Sequence, residues 1–491
     1  MKRNLPETDT NGALPEQSKE HPAAKKKTDV LLDLIRDGRP MTLRQQLRLT
    51  VELSVPAIIA QLSSIIMQYI DAAMVGRIGA EASASIGLVS TTTWLFWGLC
   101  TAAATGFSVQ VAHKVGAGDL KGARMILLQS LAGTLVFSLL LAILGASISS
   151  SLPAWLGGDV SIRRDASIYF FIFSIFLPVL QMIFLAGGML RCSGNMLLGV
   201  IMCVLDVVFN FFLIFPTRGC SIAGMQFTIP GAGLGVSGAA LGTAAAETIV
   251  AGVLLWYLLT RSEKLSYRSR EGSFRLKADT FRKALRIGFP MGIEHVVICG
   301  AQILTTVIVA PLGVFAIAAN SFAITAESLC YMPGYGIADA ATTLVGQSIG
   351  AGRKKLTRSF AHITVLMGMA IMGVMGILMY LFAPQIIGMM TPVEEIRLLG
   401  VMALRIEAFA EPMFAASIVA YGVFVGAADT LVPCLMNLFS IWAVRLTLAA
   451  WLAPTLGLQG VWIAMCVELC FRGLIFLVRL KRGRWLKCDK T

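Results

Sequence analysis

The sequence predicts an all-α polytopic membrane protein, with twelve transmembrane helices in two six-helix lobes related by a parallel repeat. Three observations carry that reading. Hydrophobic residues make up 56% of 491 and charged residues 14%, with a mean hydropathy of +0.75. Globular chains sit near about 45–50% and about 25%. The chain also matches itself: Pro56 pairs with Pro290, an offset of 234, and Gly79 with Gly313 follows without a gap. Finally, Lys and Arg gather in alternate connections. Ten precede residue 50, nine lie in 261–286 and six follow Val478. By the positive-inside rule this puts both termini in the cytoplasm and requires an even number of spans. Six spans per half then give the two halves one orientation.

Taken in order, the apolar stretches are 52–75, 82–111, 122–148, 165–190, 196–215, 236–260, 284–311, 316–345, 359–383, 394–424, 432–452 and 459–480. Each is long enough for a hydrocarbon core of roughly 30 Å. The chain therefore divides into an N-terminal tail 1–50, a first lobe 51–260, a linker 261–283, a second lobe 284–480 and a C-terminal tail 481–491. The tail before the first span is polar, carries Lys25-Lys26-Lys27 and offers no signal-peptide core, so most of it is expected to be disordered. Beyond Phe215 the repeat offset drops to 222, as Gly235 pairs with Gly457. The first half thus holds a twelve-residue insertion (234 less 222) between Phe215 and Gly235. The net charge of +13 follows from topology and attraction to anionic lipid, so no nucleic-acid partner is implied. The cysteines lie mostly within spans and no CxxC occurs, which argues against disulfides and a structural metal.

Function in such a chain rests on the charges that spans tolerate least. An acid at the bilayer centre costs about 2.5–3.5 kcal/mol on insertion scales and normally faces an aqueous cavity or a partner. Asp71 lies five residues before Gly76, and Asn210 five before Phe215, each roughly 8 Å inside its span. Asp206 sits one turn from Asn210 on the same face, and Thr243 is at similar depth in span 6. Four oxygen-bearing side chains at similar depth, Asp206 one turn deeper than Asn210, suit a hard monovalent cation or a proton. Hydrogen bonds between helices are the plainer reading of Asn210 and Thr243. Further acids are Glu247, Glu294 beside His295, Glu327, Asp339, and the pair Glu407 and Glu411, expected on one face of span 10 near Arg405. Glu468 and Arg472 read as a local ion pair, and Asp429 as the N-cap of span 11.

The glycine motifs Gly116-Ala117-Gly118 and Gly350-Ala351-Gly352 end spans 2 and 8 as tight turns. No phosphate loop is present, which excludes transport driven directly by ATP on this chain. These turns, together with VGQSIGAGR at 345–353, Met332-Pro333-Gly334, Gly426-Ala427-Ala428-Asp429-Thr430 and the span-1 ending Tyr69-Ile70-Asp71, resemble the multidrug and toxic compound extrusion (MATE) family from about residue 50 to 480. The resemblance implies two lobes around a central cavity and export of amphipathic organic cations in exchange for inward Na⁺ or H⁺, with no other cofactor. Asp71 matches the family's span-1 acid and Pro56 its bending proline. The acid and amide of span 5 stand in the reverse order to archaeal relatives, Asp206 before Asn210. The implied setting is a bacterial cytoplasmic membrane. The expected form is a monomer, not an enzyme, whose partners are lipid and small cationic or amphipathic molecules. A lipid-linked saccharide flippase of the wider superfamily is the alternative, and a channel or receptor a remote one. Against the flippase, only Arg405 and Arg445 lie clearly inside spans that carry nine acids.

Overall fold

Long apolar runs without strand alternation fold into helices, because only a helix satisfies its own backbone polar groups within lipid. The computed structural model describes residues 27–193, 199–222, 225–262, 264–266 and 277–486. Along the first half run α1 (Lys27–Arg36), α2 (Leu43–Gly76), α3 (Ala80–Gly116), α4 (Leu120–Ile148), a single turn α5 (Leu152–Trp155), α6 (Val160–Ser193) and α7 (Gly199–Ile214). An antiparallel hairpin of β1 (Pro216–Ile222) and β2 (Met225–Ala232) follows, then α8 (Gly235–Thr260). In the second half come α9 (Ala278–Val309), α10 (Val314–Gly350), α11 (Lys354–Met390), α12 (Glu394–Glu407) and α13 (Glu411–Gly426). Next, α14 (Leu431–Phe439) passes through a π-helical segment, Ser440–Leu446, into α15 (Thr447–Leu456), and α16 (Leu458–Arg482) ends the bundle.

Among the described residues ten helices are long and apolar enough to cross a membrane, and the bent pair α12–α13 makes an eleventh. Helix α7, Gly199–Ile214, lies within the predicted span 196–215, whose first residues lie outside the described residues. The insertion after Phe215 is thus largely hairpin, a form that the composition of the segment did not announce.

Two features at the N-terminus refine the expectations. Residues 27–36 are helical and bury Leu31, Leu32 and Ile35 against Leu49 and Leu53 of α2 and Leu344 of α10. That apolar face anchors part of the predicted tail, and residues 1–26 lie outside the described residues. In addition, α2 starts nine residues before the predicted span, at Leu43 rather than 52. Its start is a capping box: the Gln45 N–H donates to Thr42 Oγ1 at 3.3 Å, and the Thr42 N–H donates to Gln45 Oε1 at 2.9 Å.

The two halves meet through equivalent positions. A Cβ placed on Gly116 of α3 would lie 2.0 Å from the Gln347 carbonyl oxygen of α10. One placed on Gly350 of α10 would lie 1.9 Å from the His113 carbonyl oxygen of α3. His113 and Gln347 differ by the repeat offset of 234, as do Gly116 and Gly350, so the contact is reciprocal. It occurs at the end of the bundle that bears the basic connections, called here the basic end. Nearby, the imidazole Nε2 of His113 lies 2.8 Å from the Gly426 carbonyl oxygen, tying α3 to α13. Because neither backbone can retreat from a methyl group, Gly350→Ala should separate α3 from α10. Its expected effect is a loss of about 1–3 kcal/mol, as for overpacking. Denaturation of the purified protein checks this, and an unchanged midpoint would contradict the contact.

Candidate functional site

Three helices converge on Asn210. Its side-chain amide donates one hydrogen bond to Asp71 Oδ1 of α2 at 2.8 Å and another to Asp206 Oδ2 at 3.0 Å, one turn away on α7. Both amide hydrogens are thereby used, one on each carboxylate. Asp206 and Asn210 are wholly buried, whereas Asp71 retains partial access. Asp206 Oδ1 and Asn210 Oδ1 are buried without a hydrogen-bond donor. No ion pair to either aspartate occurs among the described residues.

The third helix, α8, closes the site through Gly242. A Cβ there would lie 2.0 Å from Asn210 Oδ1, so only glycine lets the amide lie against the α8 backbone. Thr243 follows Gly242 directly on α8. Thr243 and Glu247, one turn apart on α8, line a cavity of about 40 Å³ with Tyr169 of α6. All four expected residues of the first half therefore meet in one place. Gly242, Tyr169 and the cavity position of Glu247 emerge only in three dimensions. The sole sequence signal for Gly242 is a glycine inside an apolar helix, which is common in membranes.

Pro56 lies within α2, where its missing N–H leaves the ladder incomplete. Just beyond it, Gly336 of α10 approaches so closely that a Cβ would lie 2.6 Å from the Ile58 nitrogen. Towards the other end of α2, the Tyr69 hydroxyl donates to the Thr325 carbonyl oxygen of α10 at 2.5 Å.

The second half holds a different set of acids. Glu294 of α9 accepts from the Tyr421 hydroxyl at 2.5 Å and from the Asn437 amide at 2.5 Å, one bond to each oxygen. His295 does not join it: its ring packs against Gly98 of α3. Glu327 of α10 is buried, and Glu407 and Glu411 are wholly so, with all four of the latter pair's oxygens lacking a donor. The expectation that Glu407 and Glu411 share one continuous helical face needs correction. Glu407 ends α12 and Glu411 begins α13, across a 60° bend. Pro412 accounts for the break, since it lacks an N–H and its ring crowds the carbonyl four residues earlier.

Glu468 and Arg472 do pair, at 3.1 Å, and the Ser440 hydroxyl donates to the same carboxylate at 2.6 Å. Glu468 is wholly buried and the Arg472 side chain largely so. Asp429 does not cap α14: no side chain caps that helix, and Asp429 instead accepts from Arg479 of α16. The long guanidinium outcompetes the local backbone N–H groups.

Comparison with known proteins agrees with this architecture. The MatE family model matches the chain twice, at residues 56–215 and 290–451. The probable multidrug resistance protein NorM of Thermotoga maritima is 26% identical over 439 residues, covering 89% of this chain and 92% of that protein. The multidrug resistance protein PmpM of Pseudomonas aeruginosa is 24% identical, covering 91% of this chain and 93% of PmpM. Among solved structures, MATE in the straight conformation aligns with a TM-score of 0.84 at 21% identity, over 95% of this chain and 100% of that one.

Proposed function

The chain belongs to the MatE family, and on that premise we propose that it is a secondary active transporter exporting amphipathic organic cations in exchange for Na⁺ or H⁺. The observation that carries the reading is the Asp71–Asn210–Asp206 bridge. Two carboxylates share one amide within a membrane bundle, and no protein cation pairs with them among the described residues. Burying such charge uncompensated is costly, so the site attracts a cation or a proton. The Asp206 and Asn210 oxygens that lack donors are ready ligands for either.

In this reading the molecule is two six-helix lobes with twelve spans, and the basic end faces the cytoplasm. The lobes rock against each other about the α3–α10 contact. A cation moving inward along 100 mV yields about 2.3 kcal/mol, which drives export only if ion and drug favour different states of the cavity. Names given to the relatives, multidrug resistance proteins, support the substrate class.

Proteoliposomes loaded with an ethidium-like cation and given separate Na⁺ and H⁺ gradients test the proposal. Export under one gradient and none without either is expected. Export independent of both would refute it. Orientation is tested with Trp155→Cys in a background without other cysteines, since Trp155 is 69% exposed at the end opposite the basic one. A membrane-impermeant thiol reagent should label it in intact cells, and labelling only after lysis would reverse the topology.

A further inference from the structure

We propose that a groove between α14 and α16 binds one anionic phospholipid of the leaflet at the basic end. The groove has a volume of about 540 Å³ and is lined by Val432, Leu435 and Phe439 of α14 and Phe471, Leu474 and Val478 of α16. Leu435, Phe439 and Leu474 are each more than half exposed, so the wall is apolar and open. From Val432 to Phe439 it runs roughly 10 Å along the helix, the reach of part of an acyl chain.

What distinguishes this groove from ordinary lipid-facing surface is its rim. Arg479, Arg482 and Arg484 stand together at its basic end. Arg479 is already committed, donating to Asp429 with its guanidinium over the Phe424 ring at 5.4 Å. Arg482 and Arg484 are exposed, and neither forms an ion pair among the described residues. Arg358 of α11 joins them, because a Cβ on Gly483 would lie 2.8 Å from its guanidinium. Arg358, Arg482 and Arg484 thus gather at this end with no ion pair to any of them among the described residues.

The rim is held in place. Gly483 ends α16 in the left-handed conformation, φ 66°, and turns the chain back. Trp485 then inserts, 1% exposed, with its indole N–H donating to the Leu480 carbonyl oxygen at 3.1 Å. Its ring lies 5.9 Å from that of Phe424. Arg482 and Arg484 therefore flank an anchored turn. A fixed cationic rim above an apolar slot complements a phosphate joined to an acyl chain, whereas a neutral headgroup gains little from it. The site requires only the membrane-spanning fold and is independent of the role of Asp71 and Asp206.

The test is native mass spectrometry of the full chain in detergent, titrated with phosphatidylglycerol or phosphatidylethanolamine. One phosphatidylglycerol should be retained, at least about tenfold more tightly than phosphatidylethanolamine, as expected from two arginines near a phosphate. Arg482→Gln with Arg484→Gln should abolish that preference. Leu474→Trp, which fills the slot and leaves the arginines intact, should weaken retention of phosphatidylglycerol. Lys354→Gln with Lys355→Gln, exposed cations on another turn at the same end, should leave the preference unchanged. Equal retention of both lipids would overturn the proposal, as would equal loss in the lysine variant. Competition by inorganic phosphate at the lipid's own concentration would reduce the groove to an anion site and also overturn it.

Discussion

Asp206→Asn and Asp71→Asn should each abolish gradient-driven export while the protein still folds and inserts. Each substitution keeps the side-chain shape and removes one of the two charges bridged by Asn210. An interaction with a charged group is worth about 1.5–3 kcal/mol, so ion affinity should fall by about 10–150-fold. A second readout separates coupling from folding. An ion that binds only the folded protein stabilises it by about 2.7 kcal/mol at 100 times its Kd, and the aspartate variants should lose that stabilisation. Stability without the ion should be maintained, because a buried like-charge contact is relieved. Asp429→Asn should keep coupling and instead loosen α16, since Asp429 pairs with Arg479. If both span variants exported at near wild-type rates, the first-half site would be wrong and Glu407 with Glu411 would become the candidate.

Gly242→Ala should impair coupling nearly as much, although it changes no polar atom. Its methyl group would lie 2.0 Å from Asn210 Oδ1, so the amide must leave the position from which it serves both aspartates. Overpacking of this kind costs about 1–3 kcal/mol, and here the strain falls on the residue that organises the site. Gly252→Ala on the same helix is the control, because a Cβ there meets nothing within 4 Å. Transport in proteoliposomes should fall sharply for the first and stay unchanged for the second. Equal behaviour would mean that Gly242 only packs helices.

The candidate site was readable to different degrees for plain reasons. Asp71 and Asp206 stand out in any reading because a carboxylate is expensive in an apolar run, whatever surrounds it. Depth estimated from helix rise placed Asn210 and Thr243 at their level, since rise per residue is fixed by the helix itself. Gly242 could not be found that way. Its role depends on how near α7 comes to α8, and a glycine in a membrane helix has many uses. The acids of the second half divided similarly. Glu294 was visible, but its partners Tyr421 and Asn437 lie 127 and 143 residues away. The apolar run continues through Glu407 and Glu411 and so predicts one face for both, but Pro412 breaks the helix between them.

By itself the sequence determined the helical class, the positions of most membrane helices, the internal repeat and the two first-half aspartates. These follow from hydrophobic length, charge placement and residue identity, which act locally along the chain. Tertiary structure alone decided that Asn210 holds both aspartates, that α1 docks on the bundle, that Asp429 serves α16 instead of α14, and that arginines crown an apolar groove. Each of those depends on distances between segments far apart in sequence, and such distances are set by packing, which no local pattern encodes.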